Sequence, residues 1–435
     1  MHTLAQLRAG QLHGLKRLDL SAGLTEFPQE IFALADSLEI LNLSGNALSA
    51  LPDDLGRLHQ LRVLFCSDNQ FTEVPAVLGQ CPQLSMVGFK ANQIRTLPAA
   101  ALTPALRWLI LTDNQLEELP TEIGQCPELQ KLMLAGNRLT ALPATLALCT
   151  KLELLRIAAN QLTALPAWLL ALPRLSWLAY AGNPFSAPAE AAAEKLHIIG
   201  VIAWDKLTIA QQLGEGASGV IYRALWQQPN VADEDVAVKL FKGAVTSDGL
   251  PHCEMLATIK AGAHPNLIAV LGRVSQHPAG AEGLVLELID EAFGNLAGPP
   301  SLATCTRDVY KPGTTFSLET ALNIAQGIAA AAGHLHAQGI MHGDLYAHNI
   351  LNTIEGNALL GDFGAACFFD AEDAELATAL QRLEIRAFGC LLEELLTHCD
   401  EADKAPALWE LQRRCVQPEV SARPLFAEVS AALAL

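Results

Sequence analysis

Leucines recur at fixed intervals through the first part of the chain. The pattern L-x-x-L-x-L-x-x-N-x-L-x-x-L-P-x-x-L repeats with a period of 23 residues and a single step of 22. Eight copies in register indicate a repeat array, in which each copy buries its apolar face against its neighbours. The copies begin at Leu15, Leu38, Leu61, Leu84, Leu106, Leu129, Leu152 and Leu175.

Within each copy the residue types predict a short strand followed by a turn. Leu38, Leu41 and Leu43 alternate into a core, and an Asn follows where the chain turns. A buried Asn amide can satisfy backbone groups of adjacent turns, and the first copy, which lacks an upstream neighbour, has Gly23 instead. The turn positions are Asn46, Asn69, Asn92, Asn114, Asn137, Asn160 and Asn183.

This array resembles the leucine-rich repeats. The resemblance implies an α/β repeat solenoid, a horseshoe of about eight repeats with one parallel strand per repeat on its concave face. The outward strand positions are largely apolar from the third repeat onward, and such a stripe usually marks an interface. We expect a protein partner there, with coverage by the C-terminal half or a face that binds nothing as alternatives. The positions are Phe65, Met86, Trp108, Ile110, Met133 and Trp177.

Alanine and glutamate dominate the segment after the last repeat, and apolar strand-like sequence follows. Pro188 to Lys195 predicts a short capping helix, and His197 to Ile202 predicts a stiff, packed connection. We therefore divide the chain into a repeat domain over 1–186, a capping helix and linker over 187–204, and a further domain over 205–435.

A glycine-rich turn opens this further domain. Gly214, Gly216 and Gly219 form a G-x-G-x-x-G pattern, which alone could equally be a dinucleotide fingerprint or a plain turn. A dinucleotide-binding unit should enter a helix here, whereas Val220 to Arg223 continues as strand. The pattern therefore favours a hairpin whose glycine-rich backbone can close over phosphate groups.

Two later motifs, His342 to Asn349 and Gly361 to Gly364, together with this turn and Val236 to Lys239, resemble the protein kinases. The resemblance covers 205–435 and implies an α+β bilobal domain that uses ATP and Mg²⁺. By resemblance Asp344 is the catalytic base, Asn349 and Asp362 are magnesium ligands, and Lys239, paired with Glu254, contacts the phosphates. It also assigns nucleotide contacts to Leu213, Val220, Ala237, Leu286, Glu287, Ile289 and Leu351.

Several residues depart from the kinase pattern. Gly343 stands where many kinases carry the Arg that pairs with a phosphorylated activation loop, so activation by such phosphorylation is not expected. Tyr346 replaces a common Lys, and Glu384 stands in for the Asp at an apparent helix start. The segment after Asp362 is short and lacks Ala-Pro-Glu, which predicts a reduced C-lobe.

Composition narrows the function classes. Apolar residues make up 51% and charged residues 17%, as in a well-buried globular chain, and the net charge of −18 disfavours nucleic acid or anionic membrane as a general partner. The ten cysteines show no C-x-x-C spacing, so we expect buried thiols in a reducing cytosol. The N-terminus lacks the apolar run of a Sec signal peptide, and we expect a cytoplasmic or translocated protein.

These observations favour an ATP- and Mg²⁺-dependent kinase of serine/threonine type whose repeats select a protein partner. Two other functions stay open. The protein could be a pseudokinase scaffold that acts through its repeats, or a small-molecule phosphotransferase of kinase-like fold, which the short activation segment would suit.

Overall fold

The computed structural model describes residues 2–196, 199–216, 218–228, 232–243 and 245–434. The chain divides into two compact units, Met1–Leu172 and Pro173–Leu435. Ala217 of the glycine-rich turn and the predicted strand-like His197 and Ile198 lie outside the described residues. None of the helices in the described part of the chain combines the length and hydropathy that a bilayer crossing requires.

The first unit starts with a short helix, α1 (Leu4–Arg8), whose N-terminus is capped by Thr3. Seven short strands follow and pair in parallel in sequence order, so the strand of each repeat lies beside that of the next. The middle residue of every strand, such as Leu41 or Leu132, is buried. The strands are β1 (Arg17–Asp19), β2 (Ile40–Asn42), β3 (Val63–Phe65), β4 (Met86–Gly88), β5 (Trp108–Ile110), β6 (Lys131–Met133) and β7 (Leu154–Arg156).

The return segments of the repeats are 3-10 helices, most of them preceded by a Pro, and the last is a single α-helical turn, α2 (Ala167–Leu170), after Pro166. Proline suits this position because the first helical N–H groups have no partner inside the helix. The 3-10 helices are Gln29–Leu34, Leu55–Arg57, Ala76–Gln80, Ala99–Ala101, Thr121–Gln125 and Ala144–Leu148.

Asparagine side chains tie adjacent repeats together. Asn137 is buried; its Nδ2 donates to the carbonyls of Leu111 (2.8 Å) and Leu134 (2.9 Å), and its Oδ1 accepts from the N–H of Leu116 at 3.0 Å. The role predicted for the repeated Asn is confirmed at this position. The leucine-rich-repeat fold follows from this bonding and from the parallel strands.

Three of the six residues predicted to form an exposed stripe on the strand face are buried, so the prediction is wrong for them. Met86 and Met133 are buried, and Phe65, Trp108 and Ile110 are half-buried. Neighbouring side chains cover one another: the Phe65 ring lies over Gly88, and the Trp108 indole N–H lies 3.4 Å from the Met133 sulfur. The third buried residue is Trp177, which belongs to the second unit and is 1% exposed.

The second unit begins with the strand of the eighth repeat, β8 (Trp177–Ala179), and a helix, α3 (Ala187–Leu196). A helix is therefore present where the sequence predicted one, and its capping role stays a prediction. Next come the strands β9 (Val201–Ala203), β10 (Leu207–Glu215), β11 (Gly219–Trp226), β12 (Glu234–Phe241), β13 (Val270–Ser275) and β14 (Gly283–Glu287). They form one sheet in the order β10-β11-β12-β14-β13-β9, with β9 from the connecting segment parallel to β13.

A helix, α4 (Pro251–Ala261), packs beside this sheet, with Met255 and Ile259 against Leu284. The remaining chain is mainly helical and carries short strand pairs: β15 and β18 flank β17, and β16 pairs with β19. The strands are β15 (Gly294–Asn295), β16 (Ile340–Met341), β17 (Ile350–Asn352), β18 (Ala358–Leu360) and β19 (Cys367–Phe368), and the helices are α5 (Leu318–Ala337), α6 (Ala374–Thr397), α7 (Pro406–Cys415) and α8 (Phe426–Leu433).

The structure bears on two further expectations, one about the cysteines of both units and one about the start of α6. All ten cysteines are buried free thiols, as expected for a chain without disulfides. The helix predicted to start near Glu384 instead starts at Ala374, capped by the Asp373 carboxylate, which accepts from the N–H of Leu376 at 3.1 Å. Glu384 is consequently a mid-helix residue.

Candidate active site

The glycine-rich turn joins β10 to β11, and its backbone forms one wall of a cavity. This cavity of about 470 Å³ is also lined by Lys239 and Asp362. A Cβ at Gly214 or Gly216 would meet no atom within 4 Å, whereas one at Gly219 would collide with the carbonyl of Leu240. The strand pairing therefore requires Gly219, and the other two glycines leave open space above the cavity.

Lys239 reaches this cavity from the middle of β12. Its ammonium forms an ion pair with Glu254 of α4, whose side chain is 3% exposed. Burial raises the pKa of Glu254, the charge of Lys239 opposes this rise, and the nearby Asp362 adds to it. A buried carboxylate with one cationic partner holds the ammonium in place, so the side chain of Lys239 has a fixed direction.

The loop over 342–349, called the catalytic loop below because the kinase resemblance places the catalytic base Asp344 in it, is held by its own polar groups. The Asn349 amide donates to the Asp344 carboxylate at 2.8 Å and to the Asp344 carbonyl at 2.9 Å. The Asp344 N–H donates to His342 Nδ1 at 3.3 Å, and His342 Nε2 lies 2.9 Å from the carbonyl of Gly361. With Nδ1 acting as acceptor, Nε2 carries the proton and donates it to Gly361. The ring therefore links the loop of Asp344 to the strand end before Asp362.

Asp362 follows that strand end in a left-handed backbone conformation with φ of 52°. Its Oδ1 accepts from the N–H of Gly364 at 3.1 Å, and the side chain is exposed where it lines the cavity. The N–H of Gly361 donates to the Asn349 carbonyl at 2.9 Å, so the two residues predicted to bind magnesium are on directly bonded segments. Asp344 and Asn349 are not among the described residues that line the cavity.

The residues predicted to contact adenine do not all line the same cavity. Glu287 and Ile289 line a separate cavity of about 850 Å³ with Arg223 and His264. Leu213 is 48% exposed. Ala237 and Leu286 are directly opposite each other on the neighbouring strands β12 and β14. Leu351 is paired with Asn295, which lines the smaller cavity, and Val220 is on β11. The adenine assignments stay predictions.

The Glu384 carboxylate binds the backbone of the catalytic loop. It accepts from the N–H groups of Gly343 (2.7 Å) and His342 (3.3 Å), and it lies 2.8 Å from His336 Nε2. Burial alone would raise the pKa of Glu384, but these hydrogen bonds and the histidines hold it below its ordinary value. The carboxylate therefore stays charged and binds two consecutive backbone N–H groups of the loop.

One further contact of the loop escaped the sequence. Asp308, in the irregular segment before α5, accepts from the backbone N–H of His348 at 2.9 Å and lies 2.7 Å from its Nδ1. Burial lowers the pKa of His348, but Asp308 reverses that effect and leaves the pKa raised. Nothing in the sequence indicated this pair, because the Asp308 segment carries no periodicity. The pair joins His348, the residue before Asn349, to a segment 40 residues earlier in the chain.

The arrangement fits a magnesium nucleotide. The described residues hold no cluster of three or more His, Cys, Asp or Glu side chains that could bind a metal without help. Magnesium usually takes only one or two carboxylates from the protein and completes its shell with phosphates and water. Asp362 lines the cavity beside Lys239, with Asp248 and Glu215 also on its wall, so the cavity offers carboxylates enough for a magnesium ion that arrives with phosphates. The volume is within the range of small-molecule sites.

Family models match both the repeats and the part of the chain that carries the site. The family described as protein tyrosine and serine/threonine kinase matches residues 207–399, and two leucine-rich-repeat families match 127–185 and 37–58. A leucine-rich-repeat protein of Leptospira interrogans is 36% identical over 44% of this chain and 49% of that one, with a TM-score of 0.39.

Several curated relatives are named as kinases. The sporulation protein kinase mde3 of Schizosaccharomyces pombe is 30% identical over 41% of this chain, and the serine/threonine-protein kinase mos of Gallus gallus is 30% identical over 38%. The matches cover 32% and 48% of those two proteins, so the chain spans at most about half of their length. This chain carries leucine-rich repeats followed by a protein kinase domain.

Proposed function

We propose that this protein is an ATP- and Mg²⁺-dependent protein kinase that phosphorylates serine or threonine hydroxyls. The observation that carries the proposal is the single cavity shared by the glycine-rich turn, the paired Lys239 and Asp362. Phosphoryl transfer needs little covalent help from the protein, because positioning and charge screening supply most of the rate.

Each residue of the site has a separate role in this proposal. Asp344 accepts the proton of the acceptor hydroxyl, and the Asn349 amide fixes the direction of its carboxylate. Lys239, held by Glu254, neutralises phosphate charge at the cavity, and Asp362 with the amide oxygen of Asn349 would hold magnesium. Magnesium ATP, when bound, supplies the phosphoryl group and the cation that screens it.

The test is incubation of the full chain with labelled ATP and Mg²⁺, with intact-mass readout. Asp344→Asn and Lys239→Met should each lower phosphate incorporation by at least about a hundredfold, since general-base and positioning contributions are of that order or larger. Lys206→Met, which changes an exposed lysine away from the cavity, is the matched control. Equal labelling of all four proteins would contradict the assignment.

A second candidate is a small-molecule phosphotransferase. Only Phe369 to Asp373 separates β19 from α6, which leaves little chain for a platform that binds a peptide acceptor. The same experiment separates the two activities, because label would then appear on an added metabolite and on no protein.

We also propose that the repeats bind a protein partner of the kinase. Phe65, Trp108 and Ile110 keep part of their surface exposed and are the residues we assign to that contact. Ten buried free thiols suit a reducing compartment, which supports a site of action in the cytoplasm.

A further inference from the structure

The strand of the eighth repeat lies directly against the catalytic loop. The Trp177 ring stacks on the Tyr346 ring, with centroids 4.1 Å apart and planes 8° from parallel. The indole Nε1–H donates to the Leu345 carbonyl at 3.0 Å. Both rings are buried, with 1% and 5% of their surface exposed. One side chain therefore holds two consecutive residues that follow directly after Asp344.

Gly343, on the other side of Asp344, also meets this strand. Its φ is 73°, and a Cβ there would lie 2.6 Å from the Leu178 carbonyl and 2.5 Å from the Ala365 carbonyl. A side chain at this position would therefore displace the repeat strand or the segment after Asp362. The strand of the eighth repeat thus occupies the space that the Arg of many kinases would need at position 343.

The strand continues along the segment that follows Asp362. The backbone N–H of Tyr180 lies 3.0 Å from the Cys367 sulfur, and the Tyr180 hydroxyl donates to the Phe368 carbonyl at 3.2 Å. That hydroxyl is fully buried, and burial raises the pKa of Tyr180 far above its usual range, so it stays a donor.

Two arginines fix the eighth repeat to the helical part of the same unit. Arg386 of α6 donates to the Ser176 hydroxyl at 2.7 Å. Arg423, itself 2% exposed, donates to the carbonyls of Pro173 (2.7 Å), Arg382 and Gln417. These two contacts lie before Trp177 in the sequence and the Tyr180 contacts lie after it, so the strand is held on both sides of its contact with the loop.

We propose that Trp177 is a positioning residue for phosphoryl transfer: the eighth repeat permanently holds the catalytic loop and the segment after Asp362. In many kinases an Arg next to the catalytic Asp fixes this segment by pairing with a phosphate on it. Here a neutral strand performs that task through stacking, backbone packing and hydrogen bonds. This inference rests on the proposed kinase function and adds that catalysis needs no phosphate on the segment.

The test compares three full-chain variants. Trp177→Ala removes the stack and the bond to Leu345, Trp177→Phe keeps a ring over Tyr346, and Leu175→Ala removes a buried core side chain of the same repeat. Trp177→Ala should lower kcat at least about tenfold while the KM for ATP stays within about twofold, because loop geometry changes and the nucleotide cavity does not. Trp177→Phe should restore most of kcat, and Leu175→Ala should keep it.

Hydrogen exchange of the Met341–Asn349 segment gives a readout independent of activity. Trp177→Ala should speed exchange there at least about tenfold without affecting β10 and β11. If the parent transfers no phosphate, the proposed function fails, and this exchange alone decides whether the strand holds the loop. Unchanged kcat and exchange in Trp177→Ala, or equal losses in Leu175→Ala, would overturn the positioning role.

Discussion

Single residues of the site were predictable where their chemistry leaves few alternatives. A Lys in a buried strand needs a carboxylate, and Glu254 pairs with Lys239 as the sequence suggested. The meaning of Gly343 was only half predictable, because a missing Arg is visible in the sequence but the strand that fills its place is not. Gly343 has a left-handed φ, and the carbonyls of Leu178 and Ala365 occupy the space that a Cβ would need.

Gly343→Ala should therefore be costly. The left-handed backbone disfavours any Cβ by about 1–2 kcal/mol, and crowding against Leu178 and Ala365 adds about 1–3 kcal/mol. We expect the free energy of unfolding to fall by about 2–5 kcal/mol in urea titrations. Gly313→Ala is the matched control, since Gly313 has φ of 81° with no atom near its missing Cβ, and it should show the conformational part alone. Equal losses in both variants would show that the close contact has no effect.

Among the elements, α6 shows where a local pattern is insufficient. The kinase resemblance placed its start near Glu384, yet the helix runs from Ala374. The Glu384 carboxylate binds the loop N–H groups from the middle of α6, because His342 and Gly343 lie beside that part of the helix. The predicted place of Glu384 at the helix start was wrong, and its hydrogen bonds to the loop were not predicted.

Glu384→Gln should uncouple α6 from the catalytic loop. A neutral amide loses charge-assisted bonds to Gly343 and His336, so we expect the free energy of unfolding at pH 7 to fall by about 2–4 kcal/mol. Because the pKa of Glu384 is lowered on folding, its stabilisation is present above the unfolded value of about 4.3 and is lost as pH falls through the folded value.

The difference between parent and Glu384→Gln should therefore be constant from about pH 6 to 8 and shrink below about pH 4. Urea titrations at several pH values measure it. Glu375→Gln changes an exposed residue in the first turn of the same helix and should stay within about 0.5 kcal/mol of the parent. A parent–Glu384→Gln gap that persists unchanged at pH 3 would argue against a charged carboxylate.

For the whole molecule, local and repetitive features were predictable and long-range ones were not. Eight copies of one pattern specify the parallel strands and the Asn bonds, because each repeat contacts only its neighbours. The packing of Trp177 on Tyr346 joins residues far apart in sequence, and no local pattern encodes it. For the same reason Trp177 was predicted to face a partner, and the eighth repeat was assigned with the first seven.

The boundary between the units can be tested by length. The sequence places the end of the repeat domain at 186, whereas the compact units divide after Leu172. A chain over 173–435 keeps the eighth repeat, and one over 187–435 loses it while retaining α3, β9 and the whole kinase match. Losing the buried Trp177 alone should cost about 3–5 kcal/mol, by analogy with truncation of buried aromatic side chains.

For a domain of this size that cost lowers the melting temperature by at least about 6 °C, so the shorter chain should melt earlier or aggregate through its uncovered Tyr346 and Phe368. Differential scanning calorimetry of the two chains measures the shift, and Trp177→Ala in the longer chain should reproduce most of it. Identical melting temperatures of the two chains would instead place the boundary at 186 and would show that the eighth repeat does not stabilise the kinase domain.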